Sequence, residues 1–400
     1  SSKNINVIVQ FKKDPAKIQI IKQSLAKGGA TVKSKAFASE YSDAQKKVKD
    51  SHAKFKSFVN KQPKTQIIGG KSVKTAMSIT REYSEAFNGV ALSLPAKLVE
   101  NIAKNPEVAS VWSQVEYTVP EGSTPKALET SESVGKPTTG LSLLGLDKLQ
   151  AEGHTGIIKS GPRAGQKVKV GVLDTGIDYN HPDLKAVYKG GHDLVNNAGI
   201  DANGNVIYVD DHDPMETNYE DWVAAKANPN PVVGPPPADY KQYITPHGSH
   251  VSGTIAANTT NNNDVYSANG VAPDVDLYGY RVLGPGGRGT TDSVLNGIDQ
   301  AVKDDMDVIN LSLGATINDP LYPTSIAINN ATLAGVVCDV AAGNSGPGAA
   351  TVGSPGTSPL AITVGASSIP GDIPVMTLKN GATSYQARLF GKNFTQADDA

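Results

Sequence analysis

An aspartate at the end of an apolar run marks the first position in this sequence where chemistry could occur. The segment Val168–Gly176 reads VKVGVLDTG, so Asp174 stands where a predicted strand ends and a glycine-containing turn begins. Backbone N–H groups at such a strand tip can keep a carboxylate ionised. A turn-forming or capping aspartate is the alternative that this segment alone leaves open.

A histidine at the start of a small-residue helix supplies a second reactive group. The segment His247–Gly253 reads HGSHVSG, and its small residues permit close packing against a sheet. A general base needs a fixed tautomer, which an aspartate provides by bonding one ring nitrogen and leaving the other free. His247 and His250 could also form a metal pair, but neither the glutamate of the zincin pattern nor another close histidine or cysteine pair supports this. A packed helical role is the better interpretation of His250.

An asparagine after another apolar strand offers a hydrogen-bond donor. The segment Ala341–Pro347 reads AAGNSGP, and Asn344 follows a strand predicted at Val336–Val340. The side-chain NH2 group of an asparagine can donate to an oxyanion that develops in a water-poor site. Asn followed by Ser-Gly is also an ordinary turn sequence. Asn344 therefore indicates an oxyanion site only in combination with the other two segments.

Together the three segments resemble the subtilisin-like serine proteases, or subtilases, in which Asp, His, an oxyanion Asn and a nucleophilic Ser follow in this order. The resemblance extends from about residue 140 to residue 366 and includes HPDL at His181–Leu184, GVAP at Gly270–Pro273 and SLG at Ser312–Gly314. It implies acyl transfer on extended protein or peptide segments, with Asp174 orienting His247 and Asn344 stabilising the oxyanion.

The same resemblance assigns the substrate-binding strands. It implies that an extended substrate lies between Gly287, Arg288 and Gly289 on one side and Ser312, Leu313 and Gly314 on the other, where the second set also lines the primary side-chain pocket. Binding of this kind is strand addition, in which main-chain hydrogen bonds supply affinity and pockets read alternate side chains.

The implied chemistry requires no cofactor, so a metal ion would have a structural role. The family often uses the aspartate of HPDL as a calcium ligand, so Asp183 is a candidate ligand, with a solvated turn as the alternative. The usual companion loop is replaced by Asn258–Ala268. The single cysteine, Cys338, excludes an intrachain disulfide and a cysteine-based zinc cluster, so packing or bound ions must stabilise the fold.

The family's nucleophile has no counterpart in these 400 residues. Subtilases carry it in a Gly-Thr-Ser-Met-Ala-like segment that opens a buried helix, and the sequence contains no such segment. Ser358 follows Gly-Thr, but Pro359 and the strand-like LAITVGA come next, so we interpret it as a turn residue. After Gly365 the sequence resembles the start of the protease-associated insertion of some large subtilases. We therefore expect the nucleophilic serine beyond Ala400 and no hydrolysis by this chain alone.

Alternating strands and helices predict an α/β domain over residues 141–367, with a mostly parallel sheet covered by helices on both faces. Its main strands are predicted at Val168–Leu173, Val275–Val282, Val308–Ser312, Val336–Ala342 and Ala361–Ala366. Active sites in such sheets lie at the carboxyl ends of the strands. The acidic, proline-rich stretch Val195–Tyr243 is expected to be a structureless insertion near the site.

Residues 1–117 predict a small α+β unit, with an alternating apolar strand at Ile5–Phe11 and a long helix at about Ser42–Asn60. Its order and size resemble the ferredoxin-like inhibitory pro-domains of the same family. The resemblance implies that a tail near Glu116–Gly122 lies in the substrate cleft. Residues 118–140 are predicted to be a linker that contains the maturation region, and residues 368–400 the start of the protease-associated insertion.

Charge divides along the same boundary. Residues 1–116 carry a net charge of +11 and the remaining residues −13. Nucleic-acid binding could use the basic segment, but its lysines follow predicted helices without a glycine-rich or aromatic base-stacking pattern. Attraction between the two parts of the chain is the better interpretation, and it should weaken with salt.

The sequence indicates a secreted protein and leaves two alternative functions open. No apolar run reaches about 18 residues, so no membrane span is predicted. The sequence starts Ser-Ser in place of an initiator methionine and a signal, which is typical of a secreted protein after signal removal, or of an engineered start. The rivals are a pseudoprotease or peptide-binding module that truly lacks the serine, and a pro-segment that acts mainly as an inhibitor or folding aid.

Overall fold

The computed structural model describes residues 4–26, 38–63, 65–68, 71–74, 77–119, 144–195, 197–200, 206–208, 210–229, 234–259, 269–366, 375–380 and 383–388. These residues form an N-terminal unit built on an antiparallel sheet and a C-terminal unit built on a parallel sheet.

The N-terminal unit is the small α+β unit that the sequence predicts. Its elements are β1 (Asn4–Phe11), α1 (Ala16–Ala26), α2 (Ala38–Asn60), β2 (Thr65–Ile68), β3 (Lys71–Lys74), β4 (Ser78–Tyr83), β5 (Gly89–Pro95), α3 (Val99–Ala103) and β6 (Val108–Ser113). A four-stranded antiparallel sheet has the order β4, β5, β1, β6, and β2 pairs with β3 in a hairpin.

The sheet of this unit buries both of its faces. Val7 and Val9 alternate with Ile8 along β1, so they point to opposite sides of the sheet. Val7 and Val9 pack in an apolar cluster with Phe55 of α2. Ile8 belongs to a different cluster that includes Leu295 of the C-terminal unit. The second face is therefore the surface that docks on the rest of the molecule.

The C-terminal unit follows the predicted alternation of strands and helices. Its elements, preceded by the tail strand β7 (Glu116–Thr118), are α4 (Leu146–Ala151), β8 (Lys169–Asp174), β9 (Tyr188–Asp193), β10 (Asn197–Ile200), β11 (Val206–Tyr208), α5 (Tyr219–Ala227), α6 (His247–Ala256), β12 (Asp276–Arg281), β13 (Arg288–Thr290), α7 (Thr291–Lys303), β14 (Val308–Leu311), α8 (Pro323–Leu333), β15 (Val337–Ala341), β16 (Ile362–Val364), β17 (Val375–Asn380) and β18 (Thr383–Arg388). Six strands form a sheet in the order β16, β15, β14, β8, β12, β9, and every neighbouring pair is parallel.

Helices cover both faces of this parallel sheet, as the sequence predicts. Val172 of β8 packs with Ala256 of α6 in one apolar cluster. The next residue, Leu173, packs with Ile298 of α7 and Ile328 of α8 in another. Because successive strand residues point to opposite faces, α6 lies on one side of the sheet and α7 and α8 on the other. The fold class is α/β.

The stretch Val195–Tyr243 is not structureless, which corrects the sequence-based expectation. Its described residues contain the hairpin β10–β11 and helix α5. The helix begins at a capping box between Asn218 and Asp221, and none of its residues is buried. A helix without a buried face has no apolar periodicity, so the sequence pattern could not indicate it. Strand β9, which reads YKGGHD, escaped prediction because it lacks an apolar run.

Some predicted boundaries lie outside the described residues. This holds for residues 120–143, which include most of the predicted linker, and for most of residues 368–400, where the described part is the hairpin β17–β18. The domain boundaries and the protease-associated insertion therefore stay predictions. Among the helices in the described ranges, none combines the length and apolarity needed to cross a membrane.

Candidate active site

Asp174 is the last residue of β8, at the carboxyl end of a central strand of the sheet. The residue is 1 % exposed. Its Oδ1 atom accepts a hydrogen bond of 2.7 Å from the backbone N–H of Thr175. The position agrees with the rule that parallel sheets carry their sites at this edge.

Helix α6, which begins at His247, receives its N-terminal caps from other loops. The first N–H groups of a helix have no partner inside it. The N–H of Gly248 donates to Thr175 Oγ1 at 2.8 Å, and the N–H of Ser249 donates to Glu216 Oε2 at 2.9 Å. These bonds fix the start of the helix against the loop after β8, and thereby fix the position of His247.

Two glycines of the sequence motifs allow this close approach. Gly176 has a φ of +119°, which favours glycine. A β-carbon on Gly248 would lie 2.0 Å from the carbonyl oxygen of Gly176. A side chain at Gly248 would therefore force the helix away from the aspartate loop. The motifs DTG and HG serve backbone packing as well as side-chain chemistry.

Asp174 and His247 form a buried pair. His247 Nδ1 lies 2.7 Å from Asp174 Oδ1, and the two side chains are 4 % and 1 % exposed. Because the acceptor is a carboxylate, Nδ1 carries the hydrogen and Nε2 is left as a base. Such a pair can take a proton from a hydroxyl group placed at Nε2 and return it to a leaving group.

Glu216 is a further buried acidic residue beside this pair, and no individual role was predicted for it from the sequence. Its Oε2 accepts hydrogen bonds from the N–H and the Oγ–H of Ser249, at 2.9 and 3.0 Å. Ser249 Oγ in turn accepts from the N–H of Asp178 at 2.8 Å. Burial, with a smaller contribution from the charge of Asp174, raises the pKa of Glu216 to about 8. Glu216 is therefore largely protonated at neutral pH while it holds the first turn of α6.

Replacing Glu216 by glutamine is expected to remove a pH-dependent loss of stability. Since the folded-state pKa is raised from 4.5 to about 8, the native protein holds a proton that the unfolded chain releases within that window. The stabilisation is complete below about pH 4.5 and is lost as the pH rises towards 8. Urea unfolding at pH 5 to 8 measures this effect. As the pH rises, the free energy of unfolding of the parent should fall relative to that of Glu216→Gln by up to about 1.4 kcal/mol per pH unit. Parallel pH curves for the two proteins would contradict a raised pKa.

The tail strand β7 lies where the resemblance places a substrate. It pairs antiparallel with β13, with Thr118 opposite Arg288. The N–H of Val119 donates to the carbonyl of Gly287 at 3.2 Å. On the other side, Thr118 and Gly314 exchange two N–H to carbonyl hydrogen bonds, both of 3.2 Å. The tail is therefore an added strand between the two predicted substrate strands.

A deep pocket receives one side chain of the tail. Tyr117 lies opposite Gly289 and is fully buried, and its hydroxyl is 2.6 Å from Thr324 Oγ1. Leu313 belongs to the same apolar cluster as the tyrosine ring. The hydroxyl of Ser312 instead bonds to a side chain of the preceding strand. Both residues were predicted to line the primary side-chain pocket. Leu313 packs in the apolar cluster of Tyr117, whereas the Ser312 hydroxyl is bonded within its own chain segment.

Asn344 and Ser358 lie beyond β15 in loop and turn positions. Asn344 is exposed on the loop that follows the strand. Ser358 is buried, and its Oγ–H lies 2.6 Å from the carbonyl oxygen of Pro355 and 3.2 Å from that of Ser325. The hydroxyl proton of Ser358 is directed at backbone carbonyls, which agrees with its interpretation as a turn residue.

Asp183 and His250 were considered as metal ligands. The carbonyl of Asp183 accepts from the N–H of Asn258 at 2.8 Å, which ties the HPDL turn to the chain after α6. Within the described ranges, no group of three or more His, Cys, Asp or Glu side chains is arranged to hold a metal ion, and residues 260–268 lie outside those ranges. Calcium at Asp183 stays a prediction. The packed role of His250 is wrong, because its side chain is exposed on α6.

Two protein-family models match this chain. The model of the subtilase family, Peptidase S8, matches residues 165–389, which include the Asp174–His247 pair and the predicted substrate strands. The chain belongs to the subtilase family. The model of the peptidase inhibitor I9 family matches residues 6–120, so this subtilase carries an I9-type pro-domain as its N-terminal unit.

Individual relatives of this subtilase agree with the family assignment. Minor extracellular protease Vpr of Bacillus subtilis (strain 168) is 38 % identical over 84 % of this chain and 35 % of its own length. Subtilisin E of the same organism is 31 % identical over 76 % of this chain and 65 % of its own length. The chain therefore spans less than two thirds of the length of these curated relatives. Among solved structures, fervidolysin from Fervidobacterium pennivorans aligns with 96 % of this chain and 45 % of its own, at 18 % identity and a TM-score of 0.49.

Proposed function

We propose that the complete protein is a secreted serine endopeptidase, made as a precursor that its own pro-domain keeps inactive. The buried Asp174–His247 pair carries this proposal, because it stands beside a cleft that already holds an extended segment. The N–H of Leu283, shortly before β13, donates to the carbonyl of Asp174 at 3.1 Å, so one strand end anchors both the pair and the cleft. The printed name of the extracellular protease Vpr supports a location outside the cell.

The proposed reaction is acyl transfer from a peptide bond to a serine and then to water. A serine beyond Ala400 attacks the carbonyl carbon while His247 Nε2 accepts its proton. The buried carboxylate of Asp174 holds the imidazole tautomer and stabilises the imidazolium. His247 returns the proton to the leaving amine, and water then releases the acyl group by the same route in reverse. Casein hydrolysis by the complete, matured protein is the direct test, and no hydrolysis after removal of the pro-domain would contradict the proposal.

The inhibition rests on the tail and on a second anchor. The Asp299 carboxylate, on α7, accepts hydrogen bonds from the successive N–H groups of Ser84–Phe87 in the pro-domain, at 2.7 to 3.2 Å. Burial raises the pKa of Asp299 to about 6, so the group is largely ionised at neutral pH and acts as an acceptor only. Because this anchor is independent of the cleft, the pro-domain would stay bound after the linker is cut.

Replacing Asn344 by alanine in the complete protein is expected to lower kcat by about 10²- to 10³-fold with little change in KM. The reason is that the side-chain NH2 would bond the oxyanion more strongly than the substrate carbonyl; the magnitude is the one known for a single oxyanion-hole donor in a subtilisin. Steady-state kinetics on a chromogenic peptide measures it, with Asn180→Ala, an exposed loop asparagine, as the control. An unchanged kcat would remove Asn344 from the site.

The missing Gly-Thr-Ser-Met-Ala-like segment favours one alternative, a peptide-binding module without hydrolysis. The strands around β7 would then bind extended peptides by main-chain pairing alone. The sequence of the natural protein after Ala400 separates the two functions. A segment of that type supports the peptidase, and a complete protein without one supports the binding module.

A further inference from the structure

Ion pairs of two kinds join the pro-domain to the catalytic unit in the described part of the chain. Lys17 pairs with Asp305 at 2.9 Å and also donates to the carbonyl of Val302 at 2.5 Å, with its own side chain 17 % exposed. Glu116 pairs with Arg288 at 2.7 Å, and this pair is at the surface, with side chains 54 % and 67 % exposed. Arg81 is different, because its side chain is 6 % exposed. The opposite charges of the two units therefore meet in one interior position as well as at the rim.

Arg81 leaves the edge strand β4 and enters the catalytic unit. Its Nη1 donates to Asp210 Oδ1 at 3.0 Å, and its Nη2 donates to the carbonyl of Leu194 at 2.5 Å. Its Nε lies 3.4 Å from Asp292 Oδ2. Asp292 is 3 % exposed in the first turn of α7. Three separate elements of the catalytic unit thus contribute an oxygen to one guanidinium group.

The acceptors are held in place by the catalytic unit itself. Asn296, one turn along α7, donates from Nδ2 to Asp210 Oδ2 at 3.1 Å, so the Asp210 carboxylate is bonded from both sides. Thr290 Oγ1 donates to Asp292 Oδ1. A cavity of about 340 Å³ lies beside Arg81, between the two units. The oxygens are therefore oriented by neighbours, and the space around the arginine would also admit a shorter side chain with water.

We infer that Asp210, Asp292 and the carbonyl of Leu194 form an arginine-binding site, apart from the substrate cleft, by which the catalytic unit recognises its own pro-domain. The proposal rests on the proposed function and adds to it the contact that decides which pro-domain inhibits. A guanidinium group fits because it is planar and presents several donors in fixed directions to several oxygens at once. Without it, Asp292 would remain buried with its charge uncompensated, which is more costly than losing a surface pair.

A nicked form of the full chain tests this inference without any catalysis. A recognition site for a specific protease is placed within residues 121–140, the chain is cut there, and the dissociation constant of the N-terminal fragment is measured by dilution and native mass spectrometry. Arg81→Met should raise this constant by about 100-fold or more, which corresponds to about 2.7 kcal/mol at 1.4 kcal/mol per tenfold. The matched control Glu116→Gln, at the exposed pair with Arg288, should raise it by about fivefold or less.

Two further variants distinguish recognition of arginine from general effects of charge or folding. Arg81→Lys keeps the charge but not the fork of donors, so it should lose most of the affinity that Arg81→Met loses. The double variant Arg81→Met with Asp292→Asn removes both charges and should regain much of the lost affinity, because a neutral pair leaves no buried charge. Sodium chloride at 0.5 M should reduce the effect of Glu116→Gln and leave that of Arg81→Met.

The inference is overturned if Arg81→Met weakens binding no more than Glu116→Gln does. It is also overturned if Arg81→Lys binds like the parent, or if the double variant is as weak as Arg81→Met alone. The variants that bind weakly must keep the parent far-UV circular dichroism before nicking. None of these results depends on peptide hydrolysis, so an inactive complete protein would count against the proposed function and leave this inference standing.

Discussion

Replacing His247 by alanine in the complete protein is expected to reduce peptide hydrolysis by about 10⁴-fold or more, the magnitude found when triad members of subtilisins are removed. The imidazole is the group that moves the proton in both halves of the proposed reaction. Its ring is buried and bonded to Asp174, so water cannot replace it in the same position. Precursor processing should fail together with hydrolysis, because we expect the same site to cut the linker between the pro-domain and the catalytic unit. Initial rates on a chromogenic peptide and gel analysis of the precursor measure both effects.

Ser358→Ala is the matched control for that experiment. Its hydroxyl bonds to backbone carbonyls in a turn, so its loss should leave kcat/KM within a few-fold of the parent. A precursor that carried His247→Ala and still processed itself at the parent rate would show that His247 is not the base. Loss of activity in Ser358→Ala, with the fold intact, would contradict our assignment of the nucleophile to a serine beyond Ala400.

Asp174→Asn is expected to reduce kcat by about 10⁴-fold while leaving the fold in place. An asparagine side chain can present its NH2 group to His247 Nδ1, which then acts as the acceptor and places the hydrogen on Nε2. The imidazole would then offer a donor where the reaction needs a base. Thr175 N–H and His247 Nδ1 share Oδ1, so an amide that turns its NH2 group to His247 gives up the bond from Thr175. The bond from Gly248 N–H to Thr175 Oγ1 does not involve residue 174 and should keep the loop after β8 in place.

The measurement for Asp174→Asn is the pH profile of kcat together with thermal unfolding. Asp178→Asn is the control, because Asp178 lies on the same loop and its carboxylate only accepts the N–H of Asn180 in a turn. Activity of Asp174→Asn near that of the parent at neutral pH would contradict the assigned tautomer. An equal loss in Asp178→Asn would show that the loop, and not the carboxylate, limits the reaction.

The positions of Asp174 and His247 could be predicted because both lie in local patterns with a physical meaning. An apolar strand that ends in Asp-Thr-Gly and a helix that begins His-Gly each allow the close backbone approach seen between Gly176 and Gly248. The apolar strands of the sheet are recognisable for the same reason, since strands buried on both faces read as short apolar runs. Their order in the sheet is a property of the assembled fold and was not predicted.

Glu216 and Asp210 show where sequence reasoning stops. Both lie in the acidic stretch before α6, and composition alone makes them look like solvated loop residues. Their roles come from partners far along the chain: Ser249 for Glu216, and Arg81 for Asp210. The burial of Glu216 is produced by loops, which leave no periodic signal in the sequence, and the exposed Asp210 is distinguished from other loop residues by its partner alone. The Met-Glu-Thr sequence around Glu216 contained nothing that could indicate its hydrogen bonds with Ser249 in the first turn of α6.

The charge asymmetry was visible in the sequence, but its distribution was not. A balance of +11 against −13 suggests diffuse attraction between the two units. In the structure, the contacts are specific: one arginine hydrogen-bonded to two oxygens and ion-paired with a third, and one aspartate bonded to a run of backbone N–H groups.

Labelling of the complete, matured protein with diisopropyl fluorophosphate tests the central claim most directly, because this reagent reacts with a serine that a neighbouring histidine activates. Peptide mapping should find the phosphoryl group on one serine beyond Ala400, within a Gly-Thr-Ser-Met-Ala-like segment, and no label on the His247→Ala variant. Label on Ser358, or no label on a folded protein that retains Asp174 and His247, would contradict a triad completed by a serine outside these 400 residues.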